Sequence, residues 1–224
     1  MILQQIGELL FPSKCVLCRS VLAKEEADLC HECRKEISDF SKPKRSIPFL
    51  ASWTALWYYN GSVRKSLLRY KFSGRRSYAG PYGRLLAMKL LREYPMGFDI
   101  LTWTPISRLR RFKRGYDQVE LLAQAVAREL DMEATQTLVK IRNNPPQSGI
   151  TGHAERRANV LGVYRAVEPE RFRGKRVLLL DDIITSGATA SEAARVLLTA
   201  GAAEVTCAAV AASDNEQKNK PNSR

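Results

Sequence analysis

An α/β fold, with a parallel sheet flanked by helices and a small cysteine-rich segment ahead of it, is what this chain predicts, on three observations. Strand-length apolar runs alternate with amphipathic helices along most of the sequence, the order that builds βαβ units. The last such unit, Val177 to Val205, is the plainest. At 224 residues the chain buries one good α/β core with an appendage but not two full domains.

Taken in order, residues 1 to about 40 read as a short helix, two CxxC pairs and a brief helix over Glu32 to Phe40, a stretch too small to fold without a metal. Cys15-Val-Leu-Cys18 and Cys30-His-Glu-Cys33 stand eleven residues apart. Four thiolates at that spacing match a tetrahedral Zn²⁺ and close its coordination sphere, so the ion is structural. His31 lies between the ligands as an alternative donor, and a thioredoxin-like redox pair is the competing reading. Two such pairs in a loop-rich stretch of a reducing compartment suit zinc better. The fifth cysteine, Cys207, falls in an apolar strand and reads as inert core.

Ser41 to Pro48, with its prolines and basic residues, reads as a linker. Trp53 to Tyr59 is a strand, Asn60-Gly61 a turn, Val63 to Tyr70 and Tyr82 to Tyr94 helices, and Asp99 to Trp103 a strand ending at Thr104-Pro105-Ile106-Ser107. Gln118 to Leu130 is an amphipathic helix. Arg142 to Asn159 holds two prolines and two glycines without periodicity and reads as a long mobile loop, of the kind that closes over a substrate. Val177 to Leu180 is a strand, Thr189 to Leu198 a helix with Gly201 at its end, and Glu204 to Ala211 the last strand. Ser213 to Arg224 is a polar tail expected to be disordered. The domain plan is thus 1–42 for the zinc finger, 50–212 for the α/β domain and 213–224 for the tail.

The candidate ligand site lies in that last unit. Ligands of such sheets sit beyond the carboxyl ends of the strands, where Asp181 and Asp182 stand, and Thr185, Ser186, Gly187, Ala188 and Thr189 offer backbone N–H groups at a helix start. A bare phosphate repels carboxylates. A sugar phosphate has hydroxyls that donate to them, and a divalent metal bridges the rest. Two bland readings compete. A Walker B strand requires a GxxxxGK[ST] upstream, and there is none. A simple capping box would use Thr189 and Glu192 with no ligand at all.

The charge is +13, and most of it is local: residues 61–120 hold fourteen Lys and Arg against four acids. There Arg64, Lys71, Arg110, Arg111, Lys113 and Arg114 interleave with Tyr70, Phe72, Phe112 and Tyr116. Cations that follow phosphates and rings on which bases stack are what single-stranded nucleic acid requires. A solvated basic face with core aromatics is the alternative. The opening residues, MILQQIGELLF, are too short to span a bilayer and lack the pattern of a signal peptide, so a cytoplasmic protein is expected, not itself membrane-spanning and at most positioned at the inner face of the membrane.

VLLLDDIITSGAT closely resembles the phosphoribosyl pyrophosphate signature of type I phosphoribosyltransferases. The whole pattern, with Arg114-Gly115-Tyr116-Asp117-Gln118, Pro146-Gln147-Ser148-Gly149 and Arg156-Arg157-Ala158-Asn159-Val160, resembles the ComF family of competence proteins. Asp117 departs from the family, which more often has Asn. The resemblance implies a type I phosphoribosyltransferase-like domain in which Asp181 and Asp182 bind ribose hydroxyls, the turn cradles the 5-phosphate, and Thr104, Pro105, Ile106 and Ser107 form the pyrophosphate loop, with Mg²⁺ accompanying phosphoribosyl pyrophosphate. It also implies a role in natural transformation: binding single-stranded DNA in the cytoplasm during uptake, beside a DNA-translocation helicase or membrane channel proteins. The alternatives are an active phosphoribosyltransferase of unknown acceptor and a non-catalytic phosphoribosyl pyrophosphate-binding regulator.

Overall fold

The computed structural model describes residues 12–41, 43, 45–143 and 159–213. The helix expected in the first eleven residues, most of the Arg142–Asn159 loop and the tail after Ser213 lie outside them. A short helix α1 (His31–Glu36) belongs to the cysteine-rich segment. The α/β part runs β1 (Ser52–Tyr58), α2 (Gly61–Phe72), α3 (Ala79–Glu93), β2 (Ile100–Trp103), α4 (Arg108–Arg114), α5 (Gln118–Glu129), β3 (Leu138–Lys140), β4 (Tyr164–Ala166), β5 (Arg176–Ile184), α6 (Ala188–Thr199) and β6 (Glu204–Ala212).

Four strands form a sheet in the order β1-β6-β5-β2, every pair parallel. Parallel strands flanked by helices are buried on both faces, and β5 shows it in an apolar run rather than an alternating one. Val177 and Leu179 enter the core packed under α6, whereas Leu178 and Leu180 enter the core shared with α2, α3 and α5. All four are fully buried. β3 and β4 make a separate antiparallel hairpin across which Val139 faces Arg165.

Cys15, Val16, Leu17 and Leu29 belong to the same apolar cluster as Leu56, Trp57, Leu67 and Tyr82, so the cysteine-rich segment is packed against α2 and α3. Polar links reinforce the contact: the Ser66 hydroxyl donates to the Val16 carbonyl, Arg69 donates to that of Leu17, and Arg84 Nε donates to Asp28 Oδ2 at 3.0 Å.

Two expectations need correcting. The final helix of the cysteine-rich segment stops at Glu36 rather than Phe40, because Ile37 is extended and the Phe40 N–H is taken by the Leu56 carbonyl of β1. The strand expected to end at Leu180 continues through both acids to Ile184, because β6 pairs with it as far as Ile184↔Ala212.

Candidate functional site

β2 leaves the sheet after Trp103, which pairs with Leu180, and the chain turns away at Thr104, whose N–H still reaches the Leu180 carbonyl at 2.9 Å. From Asp181 onward β5 therefore has a partner on one side only. A crevice between diverging strands at the carboxyl edge is where sheets of this kind hold ligands.

Neighbouring residues on a strand face opposite sides of the sheet, so the two acids diverge. Asp182 faces α2 and α5. Its Oδ1 lies 3.0 Å from Lys71 Nζ and its Oδ2 accepts from Gln118 Nε2 at 2.8 Å. Asp181 has the Thr104 hydroxyl as a hydrogen-bond partner, and its Oδ1 accepts the Asp182 N–H at 2.8 Å. Lys140 and Tyr164 of the hairpin feel its charge. Both acids are buried, with 7% and 5% of their surface exposed.

Burial raises the Asp181 carboxyl to about 7, helped by the charge of Asp182 and opposed by Lys71. Burial likewise lowers Lys140 to about 8, with Arg110 adding to the effect and Asp181 opposing it. Tyr164 is pushed well above its ordinary value by burial and then by Asp181 and Asp117. Burial thus moves the Asp181 carboxyl and the Lys140 ammonium toward neutrality from opposite sides. Lys140 and Tyr164 sit on strands of three residues, too short to show in the sequence. Gln118 stands out in the sequence only as the last residue of the Arg114–Gln118 motif.

After Ile184 the chain makes the expected turn. Gly187 is the residue before α6 and has φ +79°, a left-handed conformation suited to glycine. Thr189 stands inside α6 rather than at its N-cap, which is Gly187, and Glu192 accepts the Gly162 N–H at 2.8 Å and pairs with Arg195 at 2.8 Å. A strap from the linker crosses this turn. Arg45 donates to the carbonyls of Thr185 and Ser186, Trp53 Nε1 holds the Arg45 carbonyl at 2.9 Å, and Ile47 packs on Gly187. A cavity of about 710 Å³ runs along the strap past Leu50, Ser52, Trp53 and Tyr94, and neither acid lines it.

The Thr104–Ser107 loop lies beside the acids and is held by Asp117. Asp117 Oδ2 accepts the Ile106 N–H at 2.9 Å while Oδ1 accepts that of Val119 at 2.9 Å, capping α5. The acid that departs from the resembled motif is thus a buried clamp rather than a charge on a basic surface. Ser107 caps α4, accepting the Arg110 N–H at 3.4 Å, and donates to Asn143 Oδ1 at 2.9 Å.

The basic residues divide. Arg64 and Lys113 are exposed, and Arg111 pairs with Glu120 at 2.8 Å. Arg114 donates to Gln118 Oε1 at 2.9 Å and lies over the Phe72 ring, 4.9 Å from its centroid. Arg110 is half-buried, and burial followed by Arg114 pulls its guanidinium down. Lys71, placed by sequence on the nucleic-acid face, reaches inward to Asp182 instead. Of the aromatics, Tyr70 and Tyr116 are core, whereas Phe72 and Phe112 are 65% and 88% exposed.

In the cysteine-rich segment the Sγ atoms of Cys15, Cys18, Cys30 and Cys33 all lie within 4.8 Å of one another. The spacing fits four thiolates around one tetrahedral Zn²⁺. His31 is exposed at the start of α1 and stands outside this group. Burial pushes the Cys33 thiol up; at Cys18 burial also raises the thiol, but hydrogen bonding with the Ser20 side chain and N–H brings it down to about 6.

Comparison with known proteins agrees with this division. Residues 120–223 match the phosphoribosyl transferase domain, and residues 6–44 the double zinc ribbon domain. Competence protein F of Haemophilus influenzae is 25% identical over 218 residues, covering 87% of this chain and 95% of its own. Competence protein ComFC of Bacillus subtilis is 27% identical over 199 residues, or 84% and 79% of the two chains. DNA utilization protein YhgH of Escherichia coli K12 is 26% identical over 220 residues, or 87% and 94%.

Proposed function

Because the chain is a homologue of the competence protein F, ComFC and YhgH proteins, with a double zinc ribbon and a phosphoribosyl transferase domain, we propose that it is a DNA-uptake factor with two binding functions. It binds single-stranded DNA in the cytoplasm through its basic face, and the crevice between β2 and β5 binds a phosphoribosyl pyrophosphate-type ligand with Mg²⁺. The division 1–42, 50–212 and 213–224 is the domain plan that goes with this reading.

One observation supports the crevice most: two buried acids and the turn before α6 stand at the point where β2 parts from β5, with Lys71, Arg110 and Lys140 near them. A doubly phosphorylated sugar needs cations for its phosphates and acceptors for its hydroxyls. Asp181 and Asp182 would accept the ribose hydroxyls, and the backbone N–H groups of residues 185–189 would take the 5-phosphate. The Thr104–Ser107 loop would meet the pyrophosphate, and Lys140 and Arg110 would offset its charge. The carboxylate oxygens are the hard donors that Mg²⁺ prefers, and the ion would neutralise the pyrophosphate as it binds. Since Asp182 already holds Lys71 and Gln118, ligand entry is an exchange of partners rather than a filling of open space.

For the strand, Phe72 and Phe112 offer exposed rings among Arg64, Arg111, Lys113 and Arg114. Rings of this kind stack bases of any sequence, and the cations follow the phosphates. The DNA-translocation helicase or channel of an uptake apparatus is the partner class such a role calls for.

The test is calorimetric. Phosphoribosyl pyrophosphate with Mg²⁺ binds the wild-type protein, and the double variant Asp181→Asn, Asp182→Asn loses that heat while keeping its thermal unfolding transition. Absence of heat with the wild-type protein would remove the crevice from the reading.

A further inference from the structure

We propose that Lys71 is a cation shared between the two binding functions: it pairs with Asp182 in the ligand-free protein and turns out to the nucleic-acid face when a sugar phosphate takes that carboxylate. The inference rests on the reading above and adds to it a sign and a mechanism for the coupling of the two ligands.

Both oxygens of Asp182 are engaged, one by Lys71 at 3.0 Å and the other by Gln118 at 2.8 Å. A carboxylate that accepts ribose hydroxyls must release at least one of them. Gln118 is the fixed partner. It is 3% exposed, its side-chain oxygen accepts from Arg114 at 2.9 Å, and its carbonyl accepts the Tyr70 hydroxyl at 2.5 Å. Lys71 is the mobile one: its side chain is 19% exposed, it stands on the last turn of α2, and its ammonium rides on a four-carbon stem. Lys71 also feels the charge of Asp181, and the ribose hydroxyls claim both carboxylates together, so the ammonium is then left buried without its partners, which is costly, and the way out leads to water.

The surface at that exit is set by its neighbours. Phe72 follows directly and is 65% exposed, Arg114 covers its ring, and Arg75 and Lys113 are exposed. A freed Lys71 therefore adds one cation to a patch of rings and positive charge, whose fitting partner is a flexible polyanion with flat bases. The sugar phosphate strengthens the hold on the strand, and by linkage the strand strengthens the hold on the sugar phosphate by the same factor.

The experiment follows the anisotropy of a labelled oligothymidylate bound to the full-length, zinc-loaded protein across a salt series, with and without saturating phosphoribosyl pyrophosphate and Mg²⁺. With ligand, the affinity rises about fivefold, at the low end of known couplings. The slope of log affinity against log salt steepens by about 0.7, the contribution of one more phosphate contact on a single strand. In Lys71→Met the two slopes coincide, and Lys71→Arg restores the difference. Binding of both ligands by the wild-type protein with equal slopes, or an unchanged difference in Lys71→Met, overturns the shared cation alone. Failure of the wild-type protein to bind either ligand overturns the underlying reading and this inference with it.

Discussion

At the scale of single residues, Asp181 and Asp117 show how burial gives two carboxyls different tasks. Asp181 carries a folded-state value of about 7 against an ordinary 3.8. Folding thus favours its protonated form, and the stabilisation it contributes is full below the unfolded value and lost as pH rises through about 7. Between pH 5 and 8 the ligand-free protein should lose several degrees of Tm relative to Asp181→Asn, at about 2–4 °C per kcal/mol for a chain of this size. Parallel melting curves of the two proteins check this. Because ribose hydroxyls and Mg²⁺ favour the carboxylate, affinity for phosphoribosyl pyrophosphate should fall by up to about tenfold per pH unit below 7, which calorimetry at stepped pH reads. Asp117 instead accepts from two backbone directions, so Asp117→Asn would set an amide N–H against the Ile106 N–H. The expected cost is about 1–3 kcal/mol of unfolding free energy, measured by urea denaturation, with weaker binding of the pyrophosphate end of the ligand.

Among the elements, the turn before α6 depends on a strap more than 130 residues away in sequence. A Cβ on Gly187 would stand 2.6 Å from Ile47 Cδ1, at φ +79°. Gly187→Ala should cost about 1–3 kcal/mol. The double variant with Ile47→Ala should recover the steric part and leave the conformational part, a difference that a double-mutant cycle of unfolding free energies resolves. The six long elements were legible in the sequence because each carries a sustained apolar signal, a helical period in α5 and a continuous apolar run in β5. α4 was not, since RLRRFKR has too few apolar residues to show a period, and the hairpin of β3 and β4 has three residues per strand. The acids were legible as a doublet. That they face opposite sides of the sheet was not, because it depends on β6 continuing to pair beyond Leu180. Lys71 beside the acids was illegible for a similar reason: a basic residue among basic residues gives no sign of the buried carboxylate it pairs with.

Across the whole molecule, the zinc ribbon and the sheet share one apolar cluster, so removing the ion is not a local event. Chelation should lower Tm for the single unfolding transition and change the near-ultraviolet dichroism of Trp57 and Tyr82, which pack in the same cluster as Cys15 and Leu17. A thiol reagent should then label four cysteines in the chelated, still folded protein and reach Cys207, which is fully buried, only on denaturation. Labelling of Cys207 in step with the other four would mean that the sheet does not survive loss of the ion. The sheet order has a further consequence for biosynthesis. β1 leaves the ribosome early, yet among the described residues its partner within the sheet is β6, the last strand described, apart from the single bridge Asp39 makes to Trp57. Until some 150 further residues have been translated, an apolar ribbon containing Trp53, Leu56 and Trp57 waits without its sheet neighbour β6. Nascent chains stalled before β6 should therefore be held by chaperones or aggregate, and slowing translation in that interval should lower the yield of native protein.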